Sequence, residues 1–356
     1  MTMEIQVGRH VVGPGHPTYF IADIAANHDG DLDRAKALIH LCAEAGANAA
    51  KFQNFQAETI VSDHGFKALG DQQSHQSDWN KDVVDVYRDA SLPMEWTEEL
   101  KKTCDEASVD YFTAPYDLEL LKDLSPYVCA WKVGSGDITW HESIERMAMD
   151  GKPIFIATGA SNFEEVRLAV EVAKRHTEDI VLMQCNTNYT ASGENFHHIA
   201  LNVLKTYGRE FPHLPLGLSD HTQGPATVLG AVALGAFAIE KHFTDDNSRD
   251  GPDHTFATNP TNWREMVDRT RELEAALGPE HKRVMDNEKE TVILQRRAVR
   301  AARPIISGQT ITDADVLLLR PCPSDALPPY RKDEIVGKQA ARDIEAGDCF
   351  RATDIK

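Results

Sequence analysis

Between residues 18 and 277, a short apolar, β-prone run breaks off into polar, chemically capable residues eight times. The runs are TYFIADIAANHDG, ANAAKFQNF, VDYFTAPYD, CAWKVGSGD, PIFIATGAS, IVLMQCNTNY, LPLGLSDHT and AFAIEKHFT. Helix-patterned stretches such as DLDRAKALIHLCAEAG (31–46) and NFEEVRLAVEVAKRH (162–176) separate most of them. In the first stretch Ala35, Leu38, Ile39 and Cys42 recur at helical spacing, and Gly46 is expected to stop the helix. Strand–helix alternation of this kind predicts an α/β chain with a parallel sheet. Eight units in roughly 250 residues is the count and size of a closed (β/α)8 TIM barrel. An open doubly wound sheet would carry a glycine-rich dinucleotide turn after its first strand, and ADIAANHDG is not one.

After residue 278 the pattern changes. The expected division is a barrel over 1–280, a charged linker over 281–297 and a small β-rich domain over 298–356. The tail carries a weak repeat, ARPIISGQTITDADV (302–316) and ARDIEAGDCFRATDI (341–355), which suits a pseudo-twofold unit. A proline-rich irregular segment separates the copies.

The polar tips point to one shared site, because barrel active sites gather at the carboxyl ends of the strands. For any single tip, helix capping or loop solubility is the ordinary explanation; a bias shared by all of them asks for more. Strand parity sorts the tips further, since alternate residues face opposite ways. Ser219 and His221 share a face, as do Glu240 and His242, and Lys51 and Gln53. If these face the barrel mouth, Asp220 and Lys241 face the helices or the rim.

His221 and His242 end consecutive strands, so their imidazoles can converge on one divalent ion, suiting Mn, Fe, Co or Zn better than Mg. With only two protein ligands, substrate and water would complete the shell, as in a catalytic site. Asp23 ends the first strand and could act as acid or base. Lys51 and Lys132 end the second and fourth strands, and an uncompensated lysine there is costly unless it meets an anion. With Ser135 and the amides of GSG (134–136) they would cradle a phosphate or carboxylate.

That positive charge would have to be local, because the net charge is −19. So acidic a chain argues against nucleic-acid partners. No apolar stretch is long enough to span a bilayer. The opening MTMEIQVGRHVVGPG lacks the layout of a secretory signal. Six scattered cysteines with no C-x-x-C pair suit reduced thiols, and a cytoplasmic location is expected.

Taken together, IADIAANHDG, KFQNF, KVGSGD, GLSDHT, EKHFTD and GPDH, followed by a small C-terminal domain, resemble the sialic acid synthases of the NeuB family over about residues 17–356. The resemblance implies a TIM barrel with an antifreeze-like (SAF, β-clip) C-terminal domain, assembled as a domain-swapped homodimer. It implies a transferase that condenses phosphoenolpyruvate with an N-acyl hexosamine such as N-acetylmannosamine and releases phosphate. The metal it implies falls on His221 and His242, with Mn2+ expected and Mg2+ or Co2+ as alternatives. Phosphoenolpyruvate ligands fall on Lys51, Lys132, Ser135 and Ser219, with Asn186 and Thr187 nearby. Sugar contacts fall on Gln53, Asp137, Tyr189 and Asp253, and an arginine reaching the N-acyl group from the partner's small domain falls on Arg320.

Asp23 and Asp137 stand where the family usually has glutamate, and QCNTNYT lacks the usual proline after its tyrosine. These departures touch the acceptor more than the reaction, so a legionaminic, pseudaminic or other nonulosonic acid is a candidate product. A synthase of seven- or eight-carbon keto acids is disfavoured by the small C-terminal domain. A non-catalytic carbohydrate- or ice-binding relative is disfavoured by the intact Lys51, Lys132, His221 and His242 set.

Overall fold

The computed structural model describes residues 3–69 and 81–356. The chain divides into two compact units, Met1–Gly278 and Pro279–Lys356. In the first, β1 (Ile5–Val7) and β2 (His10–Val12) form an antiparallel hairpin. Then come β3 (Tyr19–Asp23), β4 (Ala49–Asn54), β5 (Asp110–Pro115), β6 (Trp131–Val133), β7 (Ile154–Ala157), β8 (Ile180–Cys185), β9 (Leu216–Asp220) and β10 (Ala236–His242). These eight strands form a closed barrel in chain order, with β10 pairing β3 in parallel to complete it. Each of the eight sequence runs supplies one strand, and the TIM barrel is the fold.

The helices form where their apolar spacing calls for them. The helix Leu32–Glu44 buries Ala35, Leu38, Ile39 and Cys42, and its Asp31 cap accepts the Arg34 N–H. Gly46, at φ +99°, turns the chain away beyond its end. The helix Phe163–Lys174 starts in a capping box between Asn162 and Glu165. Outward-facing strand residues such as Phe20, Phe52, Trp131, Leu218 and Ile239 are buried together with these helices.

Inward-facing residues fill the barrel as a second core: Tyr19, Ile21, Ala49, Phe112, Phe155, Val181, Met183 and Ala238. Ile5, Val7 and Val12 of the hairpin belong to the same cluster and close the amino-terminal end. The hairpin is fastened by the Asp110 carboxylate, which accepts from the Arg9 N–H, from the Tyr19 hydroxyl at 2.9 Å and contacts His10 Nδ1 at 3.2 Å. The barrel is thereby closed at its amino-terminal end.

The second unit contains the helix Lys289–Gln295 and a pairing of β11 (Ala298–Ala301) with β12 (Val316–Leu319). The helix lies within the segment expected to be a linker. The weak repeat has a physical content here. Arg303 Nε donates to Asp315 at 2.6 Å, and Arg342 Nε donates to Asp354 at 2.7 Å, at matching repeat positions. Each aspartate also accepts a backbone N–H three residues upstream, from Thr312 and from Arg351, both at 2.8 Å. Ile305 and Ile344, again equivalent, pair with each other across the unit.

Candidate functional site

A cavity of about 330 Å³ opens at the carboxyl ends of the barrel strands. Asp23, Lys51, Gln53, Lys132, Ser135, Asp137, Thr187, Tyr189, Ser219, His221, His242 and Asp253 all line it. They come from different strands and following loops; the closed parallel register makes them neighbours. Asn186 is not among the lining residues. It contributes its backbone carbonyl, 2.9 Å from His221 Nδ1. Arg320 lies exposed at the end of β12 in the small unit.

The lysines are not uncompensated, as the sequence reading supposed. Lys51 Nζ donates to Asp23 Oδ2 at 2.6 Å and lies 3.7 Å from Glu240 Oε1. Lys132 Nζ lies 3.4 Å from the same Glu240 oxygen. Glu240 therefore bridges two cations that are each only 2% exposed. Ser219 donates to Glu240 Oε1 at 3.2 Å, while Glu240 Oε2 is buried with no hydrogen-bond partner. Burial works against charge on Glu240, but Lys132 and Lys51 outweigh it and hold the carboxyl down at about 2. Burial pushes Lys132 below the ordinary lysine value despite Glu240. Burial likewise pushes the Asp23 carboxyl up, against the pull of Lys51.

Glu240 is the principal residue that sequence reasoning missed. Its parity with His242 was visible, but its approach to lysines on β4 and β6 depends on barrel closure. Tyr116 and Gly159 were missed as well. Tyr116 lines the cavity and is pressed against Gly134, where a Cβ would meet its hydroxyl at 2.7 Å. At Gly159 a Cβ would collide with the Thr187 hydroxyl, and the Gly159 N–H donates to Ser135 Oγ at 3.0 Å.

The His221 and His242 rings are 5.5 Å apart between centroids, flanked by Tyr189 and Phe256. Nδ1 donates to the Asn186 carbonyl, so in the neutral His221 ring the lone pair lies on Nε2. His242 Nε2 is 3.5 Å from Asp23 and Nδ1 is 3.7 Å from Asp253; Nδ1 is buried without a hydrogen bond. Burial drives His242 down to about 3, so its ring is neutral near pH 7. Burial also opposes charge on His221, yet the Cys185 thiol and the Asn186 carbonyl beside it leave it above the ordinary value. No group of three or more His, Cys, Asp or Glu side chains is arranged to hold a metal among the described residues. Two imidazoles on neighbouring strand tips, His221 oriented by the Asn186 carbonyl and His242 with an Nδ1 that has no hydrogen bond, fit a divalent ion whose remaining ligands come from substrate and water.

Two further carboxylates, Asp137 and Asp253, line the cavity. Asp137 makes no ion pair among the described residues, and burial pushes it up to about 6. Asp253 accepts the Ala26 N–H at 3.2 Å. Among the described residues no helix is long and apolar enough to cross a membrane.

Comparison with known proteins agrees with this layout. The model for the NeuB family matches residues 38–282, and the SAF domain model matches residues 296–356. The chain is 32% identical to the N,N'-diacetyllegionaminic acid synthase of Legionella pneumophila, over 94% of each chain. It is 30% identical to the human N-acetylneuraminate-9-phosphate synthase, over 98% of this chain and 95% of that one. Among solved structures it is similar to the N-acetylneuraminic acid synthetase of Leptospira borgpetersenii in complex with citrate. The TM-score is 0.71 at 28% identity, covering 82% of this chain and 96% of that one.

Proposed function

Since the chain belongs to the NeuB family, we propose that it is a nonulosonic acid synthase that condenses phosphoenolpyruvate with an open-chain N-acyl hexosamine. The observation that carries the reading is the convergence of two buried lysines and two facing histidines on one cavity. Lys51 and Lys132 hold the phosphate and carboxylate of phosphoenolpyruvate, with Ser135, Thr187 and Ser219 around them. C3 of phosphoenolpyruvate forms the new bond to the aldehyde carbon, and the aldehyde oxygen takes a proton. Water adds at C2 and phosphate leaves. Asp23, pushed up by burial beside His242, is placed to move a proton in this step. His221 and His242 hold the divalent metal, Mn2+ in this reading, which supplies Lewis-acid polarisation of the aldehyde. Gln53, Asp137, Tyr189 and Asp253 orient the acceptor. A homodimer whose partner supplies Arg320 to the N-acyl group is part of the same reading.

Lys51 and Lys132 are the only lysine or arginine side chains among the described lining residues, and they face four carboxylates: Asp23, Asp137, Glu240 and Asp253. Once they hold phosphoenolpyruvate, no lysine or arginine among the described lining residues is left to pair a second phosphate, since this reading assigns the metal to the aldehyde and Arg320 to the N-acyl group. The acceptor favoured is therefore an unphosphorylated N-acyl or di-N-acyl hexosamine. Phosphate release from phosphoenolpyruvate should be stimulated at least about tenfold more by N-acetylmannosamine or a di-N-acetylated hexosamine than by the 6-phosphate, a difference of 1.4 kcal/mol. Turnover of the 6-phosphate alone would overturn the acceptor reading. Silence with every sugar would overturn the synthase reading.

Asp137 gives a pH signature. Its carboxyl ionises near 6, and sugar hydroxyls donate best to the ionised form. The kcat/KM for the acceptor should climb as pH rises through about 6, and Asp137→Asn should flatten that limb. The stability linkage runs the other way. With its pKa raised by folding, the stability this group contributes is present at low pH and lost as pH rises through about 6. Pre-steady-state or steady-state pH profiles of the two proteins read the first effect, and thermal melts at pH 5 and pH 7 read the second.

A further inference from the structure

On the far side of β9 and β10 from the cavity lies a buried ion pair that the reaction does not use. Lys241 Nζ donates to Asp220 Oδ2 at 2.6 Å, and both side chains are at most 1% exposed. We infer that this pair is a positioning device for His221 and His242, which follow Asp220 and Lys241 directly in the chain. The inference rests on the proposed role of those histidines as metal ligands.

Three observations carry it. Asp220 and Lys241 are direct register partners across the two strands, so a bond between them fixes the alignment of the tips that carry the histidines. Next, Asp220 ties down the chain beyond His221. Its carboxylate accepts from the Thr222 N–H at 3.1 Å, from the Thr222 hydroxyl at 2.9 Å and from the Thr227 hydroxyl at 2.7 Å. Lys241 also donates to the Thr222 carbonyl, and Thr227 lies in the first turn of the helix Ala226–Ala233. His221 is thus held through its backbone from one side and through Asn186 from the other. Last, the same outward face is apolar lower down, at Leu216 and Leu218 on β9 and Ile239 on β10. The change to a buried ion pair occurs only at the end, beside the histidines. An apolar pair would serve packing as well, because desolvation offsets most of what a buried ion pair gains. What apolar side chains cannot supply is directional bonding that holds both strand ends and the Thr222 turn together.

The test separates positioning from stability. In Asp220→Leu/Lys241→Met the pair is replaced by side chains of similar volume, which commonly keeps a fold intact. Thermal melts, calorimetric Mn2+ binding to metal-stripped protein, and steady-state kinetics are measured on this variant and its parent. The expected result is a retained cooperative melt, Mn2+ affinity weakened about 10–100-fold, and lower kcat with the phosphoenolpyruvate KM within about twofold. A folded double variant with parental Mn2+ affinity and kcat would overturn the inference. If the double variant does not fold, Lys241→Arg decides by the same readouts. It keeps the charge but changes the geometry, so weaker Mn2+ binding supports the inference and unchanged binding and kcat overturn it. Failure of the parent itself to bind Mn2+ would overturn the metal reading, and the pair is then judged by kcat alone.

Discussion

His221→Ala should abolish turnover and leave the barrel folded. The side chain sits at a strand tip, outside both barrel cores, and is 6% exposed only because the cavity wall folds around it. Its removal releases one hydrogen bond, to the Asn186 carbonyl, costing about 0.5–1.5 kcal/mol. The chemical loss is larger. On the proposed function, losing one of two protein ligands would release or displace the metal, along with several kcal/mol of transition-state stabilisation, so kcat/KM should fall by at least about a thousandfold. Metal content by elemental analysis and a thermal melt accompany the assay. Full metal content with near-parental turnover would remove His221 from the proposed site. The variant also tests the dimer. His221→Ala chains exchanged with Arg320→Ala chains can form a swapped pair in which one site keeps both residues, so activity should partly return. Verified heterodimers without recovery would mean that Arg320 does not serve a partner's barrel.

Lys132→Met should raise the apparent KM for phosphoenolpyruvate strongly and leave the acceptor KM nearly unchanged. A charge-assisted hydrogen bond contributes about 1.5–3 kcal/mol, or roughly 10–150-fold in affinity. The structure adds a second component. Lys132 and Lys51 share Glu240, and losing one cation leaves Lys51 to neutralise both Asp23 and Glu240. The remaining cavity then repels a trianionic ligand more than the loss of one contact implies. Adding Glu240→Gln should recover part of the affinity, because it removes the charge left in excess. Initial-rate kinetics on the single and double variants measure both effects. An unchanged KM in Lys132→Met and in Lys51→Met would place the anion elsewhere.

The contrast between Glu240 and the histidines shows what was legible in the chain. Strand identity, strand order and the polar tips were readable, because period-two and helical patterns are local. Parity placed Asp220 and Lys241 outside the barrel mouth before any coordinates. The bond between them, like the Glu240 bridge to Lys51 and Lys132, was not readable. Those contacts depend on register across strands far apart in sequence, which no local pattern encodes. The β1–β2 hairpin escaped for a different reason: strands of three residues carry too little periodicity to stand out. The small unit lies in between, since its repeat was visible, but only the paired Arg303–Asp315 and Arg342–Asp354 bridges explain why the A-R and D positions recur.

The hairpin plug has a kinetic meaning. A barrel filled by inward-facing side chains and capped beneath by Ile5, Val7 and Val12 has a single doorway, through which, on the proposed function, both substrates and both products pass. Lys51, Lys132 and Glu240 belong to strands or their tips and sit deep, whereas Asp137 and Asp253 stand on the loops nearer the entrance. Molecules in such a dead-end passage queue. On the proposed function, phosphoenolpyruvate, held at the buried lysines, is expected to enter before the sugar, and a sugar bound first to block its way. The route of entry, left open only at the mouth by the side chains that fill the barrel and the hairpin packed beneath them, would impose an order on binding that no residue at the doorway specifies.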